Sequence, residues 1–147
     1  DPFELVLVGE QGFGYEEIRT YIERSPQRTL IREVGYLSDQ EVAALMNVST
    51  ALLFPSWYEG FGIPNLEAMA CGTVLLTSDI SVHHEVAGDA GIFISPQDPE
   101  LWAKQMSRLA ADPQLREQLI EKGRVRVSGF SWDRTAKQTL EVLRSLV

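Results

Sequence analysis

The 147-residue sequence contains one cysteine, Cys71, so an internal disulfide is excluded and no cysteine cluster can hold a metal. Such usage makes the reducing cytoplasm the expected compartment. Long apolar runs are missing too: none approaches the ~20 residues that cross a bilayer. Positive charge is scarce, with 13 lysines and arginines against 21 acids and a net charge of -8. That balance opposes binding to nucleic acid or to anionic membranes, and nucleic acid is not expected as a partner. No lysine or arginine lies between Arg32 and Lys104. The chain opens on Asp1-Pro2 without a starting methionine or a basic n-region, which suggests a fragment without a signal peptide. There is no internal repeat and no low-complexity tract.

What is present is 44% hydrophobic residues, enough for one core in a chain of single-domain size. Leu5-Val6-Leu7-Val8-Gly9 reads as a strand buried on both faces, as in a parallel sheet. A helix over YEEIRTYIER and a strand over Leu30–Gly35 follow. Ser38-Asp39-Gln40-Glu41 has capping-box spacing and opens a helix to about Met46. Ala51–Phe54, Val74–Thr77 and Gly91–Ile94 read as three more strands. Asn65–Cys71 is a short helix that Gly72 ends. Asp98-Pro99 and Asp112-Pro113 each open a helix as N-cap plus proline, and Trp102, Met106, Leu109 and Ala110 share a face of the first. Ser131 can cap a last helix on which Ala136, Leu140, Leu143 and Val147 recur at helical spacing. Strands alternating with helices through short loops predict an α/β fold with a doubly wound, Rossmann-like parallel sheet, in which ligands bind beyond the carboxyl ends of the strands.

One such end is FPSWYEGFGIPNLEAMACG, residues 54–72. Gly60 and Gly62 can hold backbone angles that bulkier residues resist and let a ligand approach the chain. Pro64 suits a first helical turn, which would leave the N–H groups of Asn65 and Leu66 unpaired and able to meet an anion. Glu59 and Glu67 flank this turn, and ionised carboxylates, as acceptors, pair well with sugar or ribose hydroxyls. A diphosphate gripped at the helix start, with acids on hydroxyls around it, describes a nucleotide sugar. On spacing alone, a solvated loop acid at Glu59 and a helix-dipole acid at Glu67 account for the pair equally well.

PSWYEGFGIPNLEAMACG is similar to the Glu-x7-Glu signature of retaining glycosyltransferases of family 4, enzymes of the GT-B fold in which two Rossmann-like domains face a cleft. The resemblance continues through GYLSDQEVAAL, EVAGDAGIFISPQDPELWA and FSWDRTAKQTLEVL. It covers nearly the whole chain and implies that residues 1–147 are part of the C-terminal, nucleotide-sugar-binding domain, starting at its second strand and lacking its first βα unit. The implied reaction moves a sugar from a UDP-, GDP- or ADP-linked donor to a saccharide or lipid-linked saccharide acceptor with retention of configuration. The resemblance places Glu59 at the donor sugar as the catalytic residue, Gly60, Phe61, Gly62, Asn65 and Leu66 along sugar and diphosphate, Glu67 on the ribose, and Tyr36 and Leu37 along the base.

The same resemblance implies a leaving diphosphate that helps deprotonate the acceptor, its charge met by helix amides and by an Arg and a Lys upstream of this portion. It implies no bound metal and no other cofactor. An N-terminal acceptor-binding domain of the same enzyme is the implied partner, so this chain alone is expected to be inactive, in a cytoplasmic enzyme that could dock on a membrane through the other half. A nucleotide-sugar epimerase half, or a non-catalytic nucleotide- or protein-binding domain, shares the fold; retention of both glutamates and the glycines favours the transferase. His83-His84-Glu85 is read as a loop rather than a metal site, with a role at an acceptor rim open. Cys71 is read as a small core residue, Trp102 and Trp132 as core or helix anchors, and Trp57 and Tyr58 as packing under the turn or touching an acceptor sugar. Ser95, Thr77 and Ser78 form no Ser-His-Asp pattern.

Overall fold

The computed structural model describes residues 3–146. Its elements alternate as expected: β1 (Leu5–Val8), α1 (Tyr15–Arg24), a 3-10 turn (Arg28–Leu30), β2 (Ile31–Gly35), α2 (Asp39–Val48), β3 (Ala51–Phe54), α3 (Ile63–Ala70), β4 (Val74–Ser78), α4 (Ser81–Ala87), β5 (Gly91–Ile94), α5 (Pro99–Ala111), α6 (Pro113–Val127) and α7 (Trp132–Ser145). The chain falls into two compact units, one up to Val42 and one from Ala43 onward, where a single core was expected.

In the N-terminal unit β1 pairs with β2 in parallel, Leu5 opposite Ile31. With one neighbour strand, β1 is not the doubly buried strand its apolar run suggests: Leu5, Val6 and Leu7 are half-buried and Val8 is exposed. Glu4 and Arg32 pair through two hydrogen bonds of 2.7 Å. Ser38 and Glu41 form the capping box, the Ser38 N–H donating to Glu41 Oε2 at 2.8 Å and the Glu41 N–H to Ser38 Oγ at 3.4 Å.

In the C-terminal unit three parallel strands lie in the order β3-β4-β5. The central strand β4 is buried along its whole length. Successive side chains of a strand point to opposite faces. Val74 and Leu76 accordingly join Ile94, Trp102, Leu109 and Leu119 in one apolar cluster, while Leu75 joins Met69, Ala87 and Ala90 in another. The side chains of Asp98, Asp112 and Ser131 accept from the N–H groups of Leu101, Leu115 and Arg134 and so start α5, α6 and α7.

Four expectations are corrected in this unit. His83-His84-Glu85, read as a loop, lies within α4, which Gly88 caps at its end. Met106 is exposed, although Trp102 and Leu109 beside it on the apolar face are buried. Trp132 is 79% exposed and anchors no core. Helix α7 is amphipathic, yet none of its described side chains is buried, and the stripe of Ala136, Leu140 and Leu143 is exposed. Val147 lies outside the described residues.

Candidate functional site

The turn between β3 and α3 starts where Pro55 ends the strand, since proline has no N–H to continue a ladder. Glu59 is half-buried and its Oε1 accepts a 2.8 Å hydrogen bond from Ser56 Oγ, which orients the carboxylate. Glu67 stands on α3, exposed. Trp57 and Tyr58 are 67% and 86% exposed, so they do not pack under the turn.

Of the two glycines, Gly62 uses the left-handed freedom, with φ +83°, whereas Gly60 has no positive φ. The space beside each also differs. A Cβ on Gly60 would meet nothing within 4 Å, while one on Gly62 would stand 3.0 Å from Asn65 Nδ2 and 3.2 Å from His83 Nε2. Gly62 is the residue before α3, which begins at Ile63-Pro64, two residues ahead of the expected Asn65. This shift changes the fate of one amide: the Asn65 N–H, expected to be unpaired, donates to the Gly62 carbonyl at 3.0 Å.

Beneath the turn lies a polar cluster that sequence reasoning missed. Asn65, Thr77 and His83 are all fully buried. Thr77 Oγ1 lies 2.7 Å from His83 Nδ1 and 3.4 Å from both Asn65 Oδ1 and the Phe54 carbonyl. His83 Nδ1 also lies 3.1 Å from the Ser78 carbonyl, and its ring sits 5.4 Å from the Phe54 ring. The available signal was parity, because Thr77 is two residues beyond Leu75 and must face the same side of β4. His84 points elsewhere: Nε2 meets Asp79 Oδ1 at 2.7 Å and the ring stacks on Phe93 at 3.9 Å. Among the described residues no group of three or more His, Cys, Asp or Glu is placed to hold a metal ion. Cys71 is half-buried, at the C-cap of α3, and Gly72 follows with φ +71°.

Tyr36 and Leu37 belong to the N-terminal unit. There, Gly9, Glu10, Gln11, Gly35 and Tyr36 line a concavity of about 300 Å³ beyond the carboxyl ends of β1 and β2. The Gly9 N–H donates to the Gly35 carbonyl at 2.8 Å. Tyr36 is exposed and Leu37 half-buried.

A carboxylate held by a hydroxyl, a glycine turn and a helix start thus meet at the end of a parallel strand. The family of glycosyl transferases group 1 matches residues 1–126, and the chain belongs to it. The chain is 31% identical over 144 residues to the O-antigen chain mannosyltransferase B of Escherichia coli, covering 98% of this chain and 38% of that protein. It is 32% identical over 143 residues to the D-inositol 3-phosphate glycosyltransferase of Salinispora arenicola, covering 94% of this chain and 32% of that protein. The chain thus spans about a third of the length of these relatives. Among solved structures, the sucrose-phosphate synthase of Thermosynechococcus elongatus superposes with a TM-score of 0.88 at 28% identity, over 97% of this chain and 38% of that one. Anabaena HepE, solved in complex with UDP-glucose, superposes with a TM-score of 0.85 at 21% identity, over 97% of this chain and 41% of that one. The α/β fold with parallel strands is therefore that of a Rossmann-like half of a GT-B glycosyltransferase. No helix among the described residues is long and apolar enough to cross a membrane.

Proposed function

We propose that this chain is the nucleotide-sugar-binding part of a retaining glycosyltransferase of family 4, and that it works with an acceptor-binding domain of the same enzyme. The observation that carries the reading is the pair Glu59 and Glu67, held on opposite sides of the Gly62 turn at the end of β3, one oriented by Ser56 and the other exposed on α3. Glu59 accepts hydroxyls of the donor sugar beside the reacting carbon. Glu67 accepts the ribose hydroxyls. Amides of Gly60, Phe61, Gly62 and Leu66 meet sugar and diphosphate, while Asn65, whose amide already has a partner, contributes from beneath. Tyr36 and Leu37 lie along the base. As the bond to the leaving diphosphate breaks, its growing charge is stabilised by these amides and the partial positive charge of the α3 start. Retention follows when the acceptor hydroxyl attacks from the face the diphosphate leaves, losing its proton to a phosphate oxygen.

The reading takes UDP, GDP or ADP as the carrier, and a saccharide or lipid-linked saccharide as the acceptor. The test is a calorimetric titration of the chain with UDP, GDP and ADP and their common sugar conjugates. One nucleotide is expected to bind selectively, and Glu67→Ala to weaken it by ~1–3 kcal/mol for lost charge-assisted hydrogen bonds. Glu59→Gln in the full-length enzyme should abolish most transfer and leave nucleotide affinity within a few-fold. Normal transfer by both variants would overturn these roles.

A further inference from the structure

Among the described residues two buried side-chain nitrogens, Asn65 Nδ2 and His83 Nε2, have no hydrogen-bond partner, and they lie 3.0 and 3.2 Å from where a Cβ on Gly62 would stand. The protonation of the imidazole follows from its other nitrogen. The Ser78 carbonyl 3.1 Å from Nδ1 can only accept, so Nδ1 carries the proton. Thr77 Oγ1, 2.7 Å from the same Nδ1, then accepts as well, and its own hydroxyl proton is free to go to Asn65 Oδ1 or to the Phe54 carbonyl. With Oδ1 turned to Thr77, the carboxamide of Asn65 must present Nδ2 to Gly62. Directionality thus runs from the end of β4 through one histidine to the first turn of α3.

A leucine would fill this space without leaving a buried nitrogen unpaired, and burying an unpaired polar atom is costly. What an apolar side chain cannot do is fix the hydroxyl of Thr77 and, through it, the amide of Asn65. We propose that His83 is a positioning residue for the donor turn: as the neutral Nδ1–H tautomer it orients Thr77 and Asn65, and its ring edge and the Asn65 amide together seat Gly62. The inference rests on the donor-binding reading of that turn. His83 touches no substrate in this arrangement; it acts through Gly62 and Asn65.

The experiment titrates the wild-type chain, His83→Leu and His83→Asn with UDP and GDP by calorimetry, with circular dichroism melts as the check of folding. Asparagine can place an amide N–H where Nδ1–H stood and keep its bonds to Ser78 and Thr77. His83→Asn is expected to bind within about twofold of wild type and His83→Leu about tenfold more weakly, the latter equal to ~1.4 kcal/mol. A folded His83→Leu with wild-type affinity, beside a wild type that binds, overturns this inference alone. A wild type that binds no nucleotide overturns the donor-binding reading and the inference with it. Should His83→Leu fail to fold, the long-range 1H–15N spectrum of the wild type decides. The chain has two histidines. With His84 assigned by His84→Gln, an unprotonated Nε2 on His83 whose resonance moves on nucleotide addition supports the proposal. A protonated Nε2, or one indifferent to bound nucleotide, sinks it.

Discussion

Phe61 meets Phe130 edge to face, with ring centroids 6.1 Å apart and planes at 80°. Phe130 in turn lies under the guanidinium of Arg126, whose Cζ is 5.0 Å from the ring centroid. That guanidinium also donates to the carbonyls of Glu85 and Val86 near the end of α4, the bond to Val86 being 2.9 Å. The middle residue of the Gly-Phe-Gly turn is thereby tied to α4 and α6 by contacts that no local sequence motif shows.

Phe130→Ala should therefore loosen the turn as well as the fold. An aromatic pair of this geometry contributes ~0.5–1.5 kcal/mol beyond area burial, and the cation-π contact about as much again at an exposed site. A lowered urea midpoint and weaker nucleotide binding are expected together. A variant with unchanged affinity would show that Phe61 holds its place without Phe130.

The two turn glycines should respond differently to a methyl group. Gly62→Ala places a Cβ 3.0 Å from Asn65 Nδ2 at φ +83°. Strain of that kind costs ~1–3 kcal/mol. Gly60→Ala meets open space and should stay within ~0.5 kcal/mol of wild type. Denaturant titration of both variants checks this; equal midpoints would mean that Gly62 is not confined as described.

How much of this was legible beforehand follows the range of the interactions. Strands and helices set by nearby residues were readable: the capping box of Ser38 and Glu41, the aspartate-proline starts of α5 and α6, and the apolar strand Val74–Thr77. The turn at 59–67 was readable because its residues are contiguous. What was not readable depends on residues brought together from separate elements. Helix α4 was hidden because Ser81–Ala87 is short and carries two histidines, and its N-cap position, Ile80, offers no side-chain cap. His83 on α4, Thr77 on β4 and Asn65 on α3 become a cluster only after the chain has folded. Exposure of Trp132 and of the α7 stripe was likewise beyond periodicity, which shows that a helix has an apolar face but not what covers it.

The capping box predicts a small acid dependence of the N-terminal unit. The Ser38 hydroxyl, and then its N–H, hold the Glu41 carboxyl below the ordinary glutamate value of 4.5. Because the folded pKa is lowered, this contribution is complete above the unfolded value and fades as pH falls through the folded one. Ser38→Ala removes the larger cause, so Glu41 should titrate closer to 4.5 while keeping part of the shift from the N–H. Following the Glu41 carboxyl carbon by NMR between pH 2 and 7, a range chosen about the usual carboxylate pKa, checks this. An unmoved midpoint in Ser38→Ala would remove the hydroxyl from the account.

Gly123 tests whether the site depends on how closely α6 approaches α3. A Cβ on this buried glycine would stand 3.1 Å from Cγ and 3.3 Å from Cβ of Met69, on the helix that carries Glu67. Two effects oppose one another in Gly123→Ala: better helix propensity, worth up to ~1 kcal/mol, and a contact that the flexible methionine can relieve. Near-neutral stability is expected. Gly123→Leu has no such escape, because three more carbons must enter a packed contact between two helices, and overpacking of this kind costs ~1–3 kcal/mol. Where α3 yields to relieve the contact, nucleotide affinity should fall along with stability in the leucine variant and hold in the alanine one. If Gly123→Leu lost stability but bound nucleotide as tightly as the wild type, the position of α3 would be set by β4 and the Gly62 turn, and the contact with α6 would serve the fold alone.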